Sequence, residues 1–150
     1  MSHVSNVELE VNDLDALRDA IAQTDGLTWC EGQQNYKWFG KWMNDFHGSV
    51  AAVDNGFDPS TFGQSEHVIR AEGIEYEIGV VRNPDGQGYR LLYDNYASGK
   101  QIADRYGSGL ETIKNSYAER VAVKQLQRKG YRVTTRVDAQ GRRQVVGVKS

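Results

Sequence analysis

Three histidines and one cysteine are the side chains best suited to metal or nucleophile chemistry in this chain: His3, His47, His67 and Cys30. No two of them fall at ligand spacing within one element, and there is no Cys-x-x-Cys pair. No metal site and no cofactor is therefore expected. Cys30 follows Trp29 in a predicted strand, and no neighbour in sequence marks it as a stabilised thiolate. No serine sits in a Gly-x-Ser-x-Gly elbow. Ser98-Gly99-Lys100 ends like a phosphate-binding loop, but such a loop needs a glycine where this chain has Asp94, and Gln101 follows the lysine. Glu66, Glu72, Glu75 and Glu77 crowd one region, and paired carboxylates suit acid–base or metal work. Glu75 and Glu77 lie two apart on a predicted strand, opposite Ile74, Tyr76 and Ile78, so a solvated sheet surface is the plainer expectation. No catalytic residue is assigned, and the chain leans towards a non-enzymatic role.

Binding chemistry is better represented. Tyr36, Trp38, Phe39 and Trp42 interleave with Lys37 and Lys41. Aromatics beside cations suit a protein hot spot or a stacked ring, and they suit equally a cap over a sheet's open face. The first reading makes Tyr36, Trp38, Phe39 and Trp42 a partner-binding set. A second set, Lys124, Arg128, Arg132, Arg136, Arg142 and Arg143, is the candidate for a polyanion. Residues 101–117 also carry Ala103, Gly107 and Ile113 at helix-turn-helix spacing, with Thr112, Lys114, Asn115 and Arg120 as groove-reading types.

The elements that would position these groups can be read from period and punctuation. Within residues 4–11, Val7, Leu9 and Val11 alternate with Glu8 and Glu10 as in a half-buried strand. Asp13 offers an N-cap, and Leu14, Leu17 and Ile21 form the stripe of a helix that Asp25-Gly26 stops. Residues 27–31 make a second strand. Residues 32–66 resist assignment: Trp38, Trp42 and Phe46 share a helical face, whereas Tyr36 and Trp38 alternate about Lys37. Residues 48–66 read mostly as loop. Ile74 to Val80 and Tyr89 to Tyr93 alternate around Asn83-Pro84-Asp85-Gly86, an antiparallel hairpin. Helices follow at 100–106 and about 109–129, the longer one ended by Gly130. Residues 131–137 and 142–148 form a final hairpin around Asp138-Ala139-Gln140-Gly141, with Arg132, Thr134 and Arg136 on one face. The expected fold class is α+β: an antiparallel or mixed sheet with helices on one face and a ferredoxin-like strand–helix–strand opening.

The 150 residues, 39% hydrophobic and 25% charged, suit a single α+β domain with an insertion-like segment at about 32–66. They exclude disordered and disulfide-stapled classes. One cysteine fits a reducing compartment, and no apolar run reaches the roughly 20 residues of a membrane span. No signal peptide is read at the amino terminus. The net charge of −2 is unevenly laid out: residues 1–75 carry 13 acidic and 4 basic side chains, and residues 76–150 carry 7 acidic and 14 basic. Such a layout points either to a polyanion surface or to halves that attract each other.

Four segments carry a family likeness. The opening Met1-Ser2-His3-Val4-Ser5-Asn6 is similar to a Ser-His-Phe-Ser start. Residues 14–29 resemble a helix followed by a Gly-x-x-Trp strand. Tyr76-Glu77-Ile78-Gly79, through Asp94, resembles a central hairpin. Ser116-Tyr117-Ala118, continuing to Lys129-Gly130-Tyr131, resembles an Arg-Tyr-Ala-Tyr helix ending in Gly-Phe or Gly-Tyr. Together they resemble the domain of unknown function 1257 family, also called hypothetical chloroplast reading frame 35. The family typically ends in an Arg-Trp pair, where this chain reads Val148-Lys149-Ser150. The resemblance implies the fold and brings no activity; the genes that neighbour family members imply an accessory role beside an AAA-type ATPase. The expected function is a small non-enzymatic binding or adaptor protein acting through a protein partner, in the cytoplasm or a stroma-like reducing compartment. The alternatives are a nucleic-acid binder using the basic carboxyl-terminal half, and a small-molecule or nucleotide binder with a pocket under residues 33–66.

Overall fold

A computed structural model of the chain describes residues 4–7, 9–38 and 61–149. The elements run β1 (Val4–Asn6), α1 (Leu14–Ala22), β2 (Leu27–Cys30), β3 (His67–Ala71), β4 (Ile78–Arg82), β5 (Tyr89–Asp94), α2 (Gly99–Tyr106), α3 (Glu111–Arg128), β6 (Tyr131–Val137) and β7 (Arg143–Lys149). Five strands form one sheet in the order β1-β5-β4-β3-β2, every pairing antiparallel. β6 and β7 form a separate two-stranded sheet. The fold is α+β, as the sequence predicts. The strand–helix–strand opening is present, and its two strands sit at opposite edges of the large sheet with three strands between them.

Local chemistry accounts for the helices. Asp13 has extended backbone angles and its Oδ1 accepts from Ala16 N at 3.0 Å, satisfying one of the free amides of α1. Ala16, Leu17, Ala20 and Ile21 then turn inward and are fully buried. Gly26, at φ 80°, makes the turn into β2. α3 starts after Leu110, which adopts a left-handed conformation (φ 53°) and has no exposed surface. That conformation costs a leucine about 1 kcal/mol, which burial of its side chain, worth about 2 kcal/mol, offsets.

The large sheet is covered on both faces. On one, Ile69, Ile78, Val80, Leu91 and Tyr93 pack with Leu17 and Ile21 of α1, Ile102 and Tyr106 of α2, and Ile113 and Tyr117 of α3. On the other, Val4, Val68 and Leu92 pack with Tyr36 and Phe62, and Cys30, Trp38 and Val81 lean on them. Helices occupy one face, as expected, and the 33–38 segment lies on the opposite one. Two-sided burial explains where the period misleads. In β3 the adjacent Val68 and Ile69 are both buried, so no alternation marks this strand. The predicted strand from Ile74 begins only at Ile78. The predicted strand over 4–11 is β1 followed by an isolated bridge from Val11 to Tyr89.

The final hairpin is formed as predicted, with Tyr131 opposite Lys149 and Val137 opposite Arg143. Asp138 N donates to Arg142 O at 2.8 Å and Gly141 takes φ 80°, a tight loop with its glycine in the left-handed position. The face carrying Tyr131, Val133, Val145 and Gly147 meets α3: a Cβ on Gly147 would touch Leu126 at 3.2 Å. The opposite face carries Arg132, Thr134, Arg136, Val146 and Val148.

Candidate functional site

Residues 33–38 approach the sheet through one carboxylate. Glu77 is 1% exposed. It accepts from Lys37 N and Gln33 Nε2, both at 3.0 Å, and pairs with Arg70 Nε at 3.0 Å. The expectation that Glu77 shares a solvated face with Glu75 is therefore corrected: Glu75 is exposed, and Glu77 is buried because residues 74–77 leave the strand and turn it under the 33–38 segment. Above it, the Tyr36 ring lies directly on Gly79, where any Cβ would enter the ring. Tyr36 is 3% exposed, its hydroxyl is buried without a hydrogen-bond partner, and burial pushes the phenol well above its ordinary value. Trp38 meets Phe62 edge-on at 6.1 Å and occupies the space Gly63 leaves open. Of the aromatic partner-binding set, Tyr36 is thus core and Trp38 half-buried beside it; Phe39 and Trp42 lie outside the described residues. A polar depression of about 570 Å³ edges this segment, lined by Gln34, Asn35, Gln64, Ser65, Glu66 and His67.

The structure divides the basic set. Lys124 Nζ pairs with Asp13 at 2.8 Å, and its hydrogen bond is the main cause holding the Asp13 carboxyl below its ordinary value. Arg143 binds both oxygens of Glu119 and lowers that carboxyl likewise. Arg142 pairs with Asp138 at the hairpin loop, 2.9 Å. Arg128 lines a groove between α3 and residues 9–15, beside Glu10, Asp13 and Lys124. Arg132 and Arg136 share the outward face of β6, where both are exposed and Arg136 Nε donates to Gln144 at 3.2 Å. Beside them lies Val148, 44% exposed, and Val137 at the end of the same strand is 61% exposed. These two valines are the large apolar side chains left exposed among the described residues.

The helix-turn-helix spacing corresponds to α2, the turn at 107–110 and α3. Ile113 is buried in the core as that reading requires. Thr112 and Asn115, however, line a cleft of about 940 Å³ whose other wall is Gly141, Arg142, Arg143 and Val145 of the terminal hairpin. The face that would enter a nucleic-acid groove looks onto the chain's own hairpin.

One arrangement has no counterpart in the sequence reading. Arg18 lies over the Trp29 ring at 5.6 Å, Trp29 stacks obliquely on His67 at 5.2 Å, and His67 neighbours Tyr89 at 6.3 Å. Arg82 closes the row over Tyr89 at 4.9 Å. Glu31 accepts from the Trp29 indole and Arg18, and Glu66 from Arg82 and Tyr89; both carboxyls are held below their ordinary values. Trp29 and Tyr89 of this row pack, partly buried, against the core of the helical sheet face. The row joins positions 18, 29, 67, 82 and 89, whose separation leaves no local spacing to find.

Among the described residues no group of three or more His, Cys, Asp or Glu side chains is placed to hold a metal ion, and no helix is long and apolar enough to cross a membrane. A family model described as "Protein of unknown function (DUF1257)" matches residues 46–146. The span includes the central hairpin, the two helices that follow it, β6 and the first part of β7. No curated protein and no solved structure matches the chain.

Proposed function

The chain belongs to the DUF1257 family, and from that premise we propose that it is a small non-enzymatic binding protein acting through a protein partner. The observation that carries this reading is the β6–β7 hairpin. It stands apart from the main sheet, is held against α3 by the Arg143–Glu119 pair, and presents the exposed Val148 together with Arg132 and Arg136 on its outer face, with the exposed Val137 at the end of β6 on the other. Arginines beside an exposed apolar side chain suit a protein contact surface, where arginine is enriched and apolar area removed from water adds to binding. The nucleic-acid alternative is the weaker one, because Lys124, Arg142 and Arg143 are neutralised within the chain. The single cysteine suits action in the cytoplasm or a stroma-like compartment, and an AAA-type ATPase is the partner the family resemblance suggests.

The test is site-specific photo-crosslinking in extract of the source cells, with the crosslinker at Arg136 or Val148, and at Asp85 on the β4–β5 turn as control. One protein, the same from both hairpin positions, absent from the control and lost from the Val148 crosslinker when R132E/R136E is added, is the expected result. Nuclease-sensitive material alone, or identical products from Asp85, overturns the reading.

A further inference from the structure

We propose that the free edge of β6 takes an extended, alternating acidic and apolar segment of a protein partner as a third strand. This rests on the reading above that the partner is a protein, and adds how the partner is held.

The phase of the hairpin ladder decides which backbone groups are free. Asp138 N donates to Arg142 O, and these two residues continue the register in which Val137 faces Arg143 and Arg136 faces Gln144. In an antiparallel pair, hydrogen-bonded and non-hydrogen-bonded positions alternate. Arg136, Thr134 and Arg132 therefore spend their N–H and C=O groups on β7, whereas those of Val137, Thr135, Val133 and Tyr131 point away from it. Among the described residues β6 pairs with β7 alone. Thr134, Thr135, Arg136 and Val137 are all exposed, so no described residue covers the edge over 134–137.

The side chains beside the edge specify the occupant. On the outer face a new strand would lie against Arg132, Thr134 and Arg136. On the α3 face it would lie against Val133, Thr135 and the 61%-exposed Val137. Alternate residues of the added strand meet these two rows in turn. Acids on one face and aliphatics on the other complement them, with main-chain hydrogen bonds supplying affinity and the side-chain rows supplying choice. A second copy of β6 is the wrong occupant. Antiparallel pairing about Thr134 would set Arg132 against Arg136 of the other copy, and like charges directly opposite repel.

The probe is a labelled heptapeptide alternating valine and glutamate, titrated into the full chain by fluorescence anisotropy with amide hydrogen exchange read by NMR. The expected result is binding that weakens with salt, is lost when lysine replaces glutamate, and falls at least ~10-fold in R132E/R136E. The amides of Val133 and Thr135 should gain protection, while that of Thr134 is already protected. Thr135→Pro removes an outward N–H without touching the β7 ladder and should abolish binding. If that variant misfolds, peptides N-methylated along one edge or the other make the same test on unaltered protein: methylation of one edge abolishes binding, and of the other does not. Binding that ignores both methylation patterns overturns strand addition and leaves the protein-partner reading standing. Duplex DNA binding instead of the peptide, lost in R132E/R136E, overturns both. No peptide binding up to millimolar concentration overturns the strand addition.

Discussion

Glu77→Ala tests whether a single carboxylate holds the outer face of the sheet together. Three donors converge on Glu77: Arg70 Nε, Gln33 Nε2 and Lys37 N, each at 3.0 Å. The arginine side chain is 53% exposed, so it can turn to water when its partner goes and adds little to the cost. The other two donors belong to the segment that lays Tyr36 and Trp38 on the sheet. The Lys37 amide cannot leave without moving that segment. A hydrogen bond to a buried carboxylate is worth about 1.5–3 kcal/mol. Losing the amide bond outright and the Gln33 bond in part gives about 3 kcal/mol, the low end for breaking a buried pair. In a chain of this size that lowers Tm by about 6–12 °C. Glu77→Gln keeps an acceptor for Lys37 N and loses the charge, so about 1–2 kcal/mol is expected. Urea unfolding should be followed by tryptophan fluorescence, which senses Trp38 beside Lys37, and by far-ultraviolet circular dichroism. In Glu77→Ala the fluorescence transition should move to lower urea ahead of the dichroism. A loss below about 0.5 kcal/mol, the range of an ordinary surface change, or two transitions that stay superimposed, would refute the anchoring role.

Gly79→Ala places a methyl group in the Tyr36 ring and should cost about 1–3 kcal/mol by overpacking; urea midpoints measure it, and an unchanged midpoint refutes the close approach. Asp13 and Lys124 should couple by about 0.5–1 kcal/mol in a double-mutant cycle of Asp13→Asn and Lys124→Met, since both side chains are roughly three-quarters buried. The folded-state pKa of Asp13 is lowered. Its contribution is therefore present above the unfolded carboxylate value, about 3.9, and disappears as pH falls through the lower folded value. Asp13→Asn should flatten stability over that acid range, and an unchanged acid profile refutes the pairing. Glu119→Gln frees Arg143, and hydrogen exchange should quicken in β6 and β7 while β3–β5 amides keep their rates.

How much of this was legible from sequence depends on how far apart the cooperating residues lie. Asp13, Leu17 and Ile21 make α1 within nine positions, and the loop from Asp138 to Gly141 makes its hairpin alone, so both are read correctly. β3 leaves no such mark, because its Val68 and Ile69 are buried on opposite faces of a doubly covered sheet. The aromatic segment is ambiguous for the same reason: whether Tyr36 is surface or core is settled by Gly79 and Glu77, about 40 residues on. The ring row from Arg18 to Arg82 is beyond any local pattern.

The basic set shows the same division most sharply. Chosen by charge alone, Lys124, Arg142 and Arg143 prove to be tied by ion pairs, two of them to partners 24 and 111 positions away. The acidic front and basic back of the chain thus meet at least once, through Asp13 and Lys124, and part of the asymmetry is internal compensation. Arg132 and Arg136 survive as a pair on one face because period-two alternation in a hairpin is a local property that distant contacts do not override. Arg143 could not have joined them, because it takes the α3 side with Glu119; Arg142, next to it and so directed to the opposite face, is bound to Asp138 at the hairpin loop instead. The outward basic patch is therefore the part of the charge layout that strand geometry selects and that no acid among the described residues pairs with.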